Sequence, residues 1–188
     1  MARVRSPEKR EAILQAAVHE FAEAGLGAPT AKIAQRAGVA SGTLFTYFAN
    51  KEELLNELYV ELKGEVYSRI NTDFPHNGSL ERRARHIWSS FLDWAIEFPE
   101  KRKVSMQLNL SDTVTASTRA KTVAERRAIE ITLRELGMLG SMRGLPAGFA
   151  ASIMQAMQEA AMEFIAQQPR RRAKLMERSF RIFWRALR

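Results

Sequence analysis

Apolar residues recur along this chain at helical spacing, and no stretch shows the alternation of a half-buried strand. Ile13, Leu14, Ala17, Val18 and Phe21 form one stripe, opened by Ser6-Pro7-Glu8 as N-cap, first helical proline and first-turn acid, and stopped by Gly25. Ile33, Ala34 and Ala37 mark a short helix over 31–37 with Thr30 as the expected N-cap. Gly38 stands where a helix end wants a left-handed residue, Val39 is apolar enough to plug the core beneath, and Ser41 is expected to cap a second short helix ending at Tyr47. A longer helix follows from Lys51 to about Ile70 through Leu54, Leu55, Leu58, Tyr59, Leu62 and Val66, and Asp73-Phe74-Pro75-His76-Asn77-Gly78 breaks it off.

The remainder reads as helix throughout. Ser79 to Phe98 carries Ile87, Trp88, Phe91, Trp94 and Ala95 and ends at Pro99. Glu100 to about Leu110 is shorter, and Thr115 to Leu139 is expected as one long helix, charged on one side. After an irregular stretch from Gly140 to Pro146, Ala147 to Gln167 is rich in Ala and Met, and Pro169 opens a last helix with an apolar stripe and an Arg-rich face. The fold class is all-α, with a helix-turn-helix head over residues 1–55 and a larger helical body over 56–188, the helix from 51 to 70 connecting them.

A helix-turn-helix places its second helix in the major groove, N-terminal residues at base edges and flanking groups on phosphates. Ser41, Gly42 and Phe45 are the candidate base contacts: a hydroxyl, a close backbone approach and a ring for a thymine methyl. Thr30, Lys32, Thr43, Tyr47 and Lys51 are the candidate phosphate contacts. Arg3 and Arg5 are either an arm toward the minor groove or backbone, or a basic tail.

FAEAG at 21–25, KIAQRAGV at 32–39, SGTLFTYF at 41–48 and NKEELL at 50–55 together resemble the DNA-binding domain of TetR-family transcriptional regulators. Phe45 stands where that family usually has Tyr. The resemblance implies an effector pocket in the body, and a homodimer would read a palindromic double-stranded DNA operator with its paired recognition helices. IWSSFLDW at 87–94 and FWRAL at 183–187 resemble the RamR-type branch, which regulates multidrug efflux, and from it Trp88 and Phe164 are carried over as pocket candidates.

Charge changes this picture less than the total suggests. The net charge is +8, which favours an anionic partner. Yet residues 1–55 hold seven Lys or Arg against six Asp or Glu, while residues 144–188 hold eight against three. The electrostatic case for DNA therefore rests on Lys32, Arg36 and Lys51.

Tyr59, Trp88, Phe91, Trp94 and Phe164 are candidates to line an effector pocket for a small apolar or aromatic compound, against the alternative that they only pack the core. The last two helices have more apolar surface than one small body can cover, which suggests a four-helix dimer interface, with Met154, Met157, Ala161, Phe180, Phe183 and Trp184 as candidates, against the alternative that both helices pack within one monomer. The chain has no Cys, and His19, His76 and His86 lie apart with no ligand-spaced partner, so neither a metal nor a cofactor is expected. Nothing resembles a catalytic constellation, and no window is apolar enough to span a membrane. The expected function is a cytoplasmic DNA-binding repressor released by its effector, with an effector-independent architectural or partner-regulated DNA-binding protein as the alternative.

Overall fold

The computed structural model describes residues 6–188, which form ten α-helices and, among the described residues, no strand. Arg3 and Arg5 lie outside the described residues. The helices are α1 (Pro7–Ala24), α2 (Thr30–Arg36), α3 (Ser41–Tyr47), α4 (Lys51–Asn71), α5 (Leu80–Glu97), α6 (Pro99–Asn109), α7 (Ala116–Ala120), α8 (Arg127–Leu136), α9 (Phe149–Gln167) and α10 (Arg172–Leu187).

Two compact units divide the chain. The first takes the described residues up to Gly64 together with Phe98–Thr122, and the second takes Glu65–Glu97 with Val123–Arg188. The division therefore does not fall at Leu55. Helix α6 packs on α1, and Val104, Leu108 and Val114 join the core of this unit, so the first unit is larger than the head expected from the sequence.

In the first unit Ile13, Leu14, Ala17 and Phe21 of α1 close over Ile33 and Ala34 of α2, Leu44 of α3 and Leu54, Leu58 and Leu62 of α4. Each such side chain contributes roughly 1.5–3 kcal/mol on leaving water. Polar contacts set the register around this core. Arg10 of α1 reaches Glu57 at 3.0 Å and Glu61 at 3.3 Å on α4. Asn56 donates to the Thr113 carbonyl at 2.9 Å and accepts from the Thr115 amide at 3.1 Å, holding the turn after α6 on α4.

The second unit is built on Trp88, whose ring stacks on Phe183 at 5.3 Å and meets Phe180 edge-on at 5.9 Å. Arg83 of α5 makes a two-pronged pair with Glu135 of α8, at 3.0 and 2.6 Å. Asp93 and Glu97, a carboxylate pair on one helix, are separately engaged by Arg172 and Arg69.

Three expectations are corrected here. The segment 115–139 is two helices with turns from Lys121 to Arg126 between them. The break holds the adjacent β-branched pair Thr122 and Val123, which lose rotamer freedom in a helix, and the two ends of the segment serve different units. Helix α9 starts at Phe149, because Gly148 adopts φ +87° and is the left-handed residue before it. Four of the six expected dimer residues, Met154, Ala161, Phe180 and Phe183, are buried within the second unit. The bulkiest stripe of an amphipathic helix turns to its own core. Met157 and Trp184 are half-buried.

Candidate nucleic-acid interface

The turn between α2 and α3 is closed by backbone bonds that the residue types allow. Gly38 takes φ +68° and its amide donates to the Gln35 carbonyl at 3.1 Å, while the Val39 amide donates to the Ala34 carbonyl at 3.0 Å. These are the paired bonds of a Schellman ending, in which glycine relieves the left-handed position. The caps differ from expectation. Thr30 and Ser41 are the first helical residues rather than N-caps, with Pro29 and Ala40 before them in extended backbone and no side-chain cap on either helix. Extended Pro29 supplies its carbonyl to the Lys32 and Ile33 amides, which starts α2 one residue early.

Helix α3 buries Leu44, with Phe48 just beyond its end, and turns Ser41, Gly42, Phe45 and Thr46 outward. Phe45 is 44% exposed, a large apolar ring held in solvent beside a hydroxyl and a glycine. All three candidate base contacts thus share one open face. Thr46 belongs to that face and was missed by the sequence reasoning; its position four residues after Gly42 was the available signal. Its Oγ1 donates to the Gly42 carbonyl at 3.1 Å.

The candidate phosphate contacts are less uniform. Lys32 is exposed, whereas Thr30, Thr43, Tyr47 and Lys51 are half-buried. The Tyr47 hydroxyl accepts the Ser6 amide at 2.9 Å, which keeps its own O–H free to donate. Lys51 lays its Nζ 5.8 Å from the centre of the Phe21 ring, and burial lowers its pKa from the ordinary lysine value. The start of α4 is occupied by its own side chains: Asn50 Oδ1 accepts the Glu53 amide at 2.7 Å and Glu53 accepts the Ala49 amide at 2.6 Å. Arg36 is a correction to the electrostatic argument. Its guanidinium is committed to Glu20 at 2.6 Å, with Glu23 at 3.8 Å, so it adds little free positive charge to this surface.

Residues 13–58 match the family model for bacterial regulatory proteins of the tetR family. The span runs from the core of α1 through α2, the turn and α3 into α4. A TetR-family transcription regulator from Shewanella sp. PV-4 is 31% identical, covers 97% of this chain and 98% of its own, and superposes with a TM-score of 0.80. The chain belongs to the TetR family. Among curated proteins, the fatty acid metabolism regulator of Bacillus subtilis (strain 168) is 38% identical over 72 residues, which are 38% of this chain and 37% of that regulator. The chain thus spans little more than a third of that relative's length. The TetR-like regulator LfrR from Mycobacterium smegmatis, solved with proflavine, is 20% identical over 95% of this chain and 96% of its own, with a TM-score of 0.68, and shares the fold.

The TetR-family relatives are transcription regulators rather than enzymes. Among the described residues no group of His, Asp and Glu has the arrangement of a metal site, and no helix is long and apolar enough to cross a membrane.

The expected effector residues fall in both units. Tyr59 is buried in the first unit, with Arg119 over its ring at 5.4 Å. In the second unit Trp88 and Trp94 are buried, Phe91 is half-buried against Trp94, and Phe164 is 52% exposed. Trp88 is core by its stacking on Phe183. A cleft of about 480 Å³ opens elsewhere in the second unit, between the 71–76 turn and the start of α8, and none of the five lines it.

Proposed function

We propose that this TetR-family chain is a cytoplasmic homodimeric repressor that reads a palindromic operator and is released by a small apolar or aromatic effector. The observation that carries the DNA-binding part is the open face of α3, where Ser41, Gly42 and Phe45 stand together with Thr46 on a helix otherwise packed into the core. Lys32, Thr30, Thr43, Tyr47 and Lys51 surround that face as phosphate donors, and the first turns of α2 and α3 carry amides that no side chain caps.

The dimer reading now rests on the apolar residues that the second unit leaves outside: Phe149 and Phe164 on α9 and Ile182 on α10. The effector reading draws on LfrR, whose structure holds the planar aromatic proflavine. Helix α4 supports the switching part, because one unbroken helix joins the unit bearing α3 to the unit expected to bind the effector. An effector acts by binding one arrangement better than another.

The test is a titration of the purified protein against DNA from upstream of its own gene, at two salt concentrations and beside unrelated DNA. Preference for the upstream DNA, abolished by an aromatic compound, supports the reading. Equal and steeply salt-dependent binding to both DNAs favours an effector-independent architectural protein instead.

A further inference from the structure

The cleft in the second unit has a lining that distinguishes it from a gap in packing. One wall is the outer stripe of α8, where Ala128 and the 42% exposed Ile131 follow one another. The opposite wall is the turn after α4, with Phe74 held edge-on between His76 at 5.0 Å and His86 at 5.5 Å. The Asn71 side chain donates to the Glu125 carbonyl at 2.8 Å, joining the end of α4 to the turn before α8.

Two cations serve this apolar slot. Arg83 spends both terminal nitrogens on Glu135, but its Nε–H is buried and has no hydrogen-bond partner. A buried donor left unpaired costs free energy comparable to a lost hydrogen bond. Arg127 lies at the cleft and is exposed. The Glu125 carboxylate also lines the cleft, but it is exposed and free to turn to water. A volume near 480 Å³ falls within the range of small-molecule sites, roughly 300–1,000 Å³.

The geometry points to this cleft as a binding site for a small, flat, apolar carboxylate, its ring against Phe74 and Ile131 and its charge met by Arg83 and Arg127. This deepens the effector reading above and rests on it. It moves the effector from the aromatic core to the end of α4. A bound carboxylate spanning Phe74 and Ile131 bears directly on the Asn71 to Glu125 contact, and so on where α4 ends.

The experiment uses naphthoate as probe and uncharged naphthamide as control, with calorimetric titration of the full chain. Naphthoate is expected to bind at least tenfold more tightly than naphthamide, because charge-assisted bonds are about twice as strong as neutral ones. Ile131→Trp fills the slot from an exposed position and is expected to abolish binding. Arg127→Glu is expected to weaken it about tenfold or more. Glu125→Gln, which removes a like charge, is expected to tighten it. Naphthoate binding that is undetectable at millimolar concentration, or unchanged in Ile131→Trp and Arg127→Glu, overturns the site, and weaker binding in Glu125→Gln shows that the cleft prefers a cation and also overturns it.

Anisotropy titrations with the upstream DNA separate the two readings. Naphthoate that fills the cleft with no change in DNA affinity leaves the site standing and removes the effector role. Release by naphthoate that persists in Ile131→Trp keeps the effector role and overturns the site.

Discussion

Arg36 Nε donates to Glu20 Oε1 at 2.6 Å, across sixteen residues of sequence, and ties α2 to a carboxylate that α1 keeps almost wholly out of water. The pair fixes the helix that carries the turn and removes one cation from the candidate DNA surface.

Arg36→Ala strands the Glu20 carboxylate. Loss of a hydrogen bond to a charged group costs roughly 1.5–3 kcal/mol. Urea denaturation is expected to show that loss of stability. The salt dependence of DNA binding is expected to stay unchanged, because that charge is already spent. A shallower salt slope in this variant would place Arg36 on a phosphate instead.

Lys51→Ala is expected to weaken binding to every DNA alike and to reduce the salt slope by about one, as removal of one phosphate contact does. Ser41 and Phe45 variants are expected to change which sequence is preferred. Competition titrations against operator and random DNA distinguish them, and a uniform loss from all three variants would mean that α3 does not face the bases.

Glu135 gains stability from ionisation. The hydrogen bond from Arg83 lowers its pKa in the folded chain below the ordinary carboxylate value. The unfolded chain therefore binds more protons as pH falls, and the pair's contribution, full above the unfolded pKa of about 4.3, is lost as pH drops through the lower folded value. The difference in urea midpoint between neutral pH and about pH 3 is expected to shrink in Glu135→Gln.

Trp88 tests the core. Its ring is 1% exposed and its indole N–H has no hydrogen-bond partner, so Trp88→Phe removes an unpaired donor along with the lost volume. Trp88→Ala is expected to cost about 3–5 kcal/mol, and Trp88→Phe clearly less. Equal losses in thermal denaturation would show that a phenyl ring recovers none of the indole's packing.

Phe164→Glu and Ile182→Glu test the proposed dimer. Both side chains are more than half exposed in the single chain, so the variants are expected to fold. Sedimentation is expected to shift from dimer to monomer, with operator affinity falling because paired recognition helices are lost. A dimer that survives both changes would move the interface off α9 and α10.

Helix positions near the start were legible because local chemistry determines them. The α1 stripe, the Schellman glycine at 38, the long α4 and the break after Asn71 follow from apolar period, backbone permissiveness and turn residues. The outward set Ser41, Gly42 and Phe45 was legible for the same reason, since burying Leu44 leaves the other side of a seven-residue helix open.

What tertiary structure alone decided are pairings between distant residues. The sequence of Arg36 does not say that Glu20 waits across the turn, nor that Asn56 holds Thr113 and Thr115 and draws the α6 segment into the first unit. Both apolar stripes of α9 and α10 look equally fit for a partner until Trp88 stacks on Phe183 and assigns one of them to the core. Periodicity says that a face must be covered, and only the packed backbone says by what.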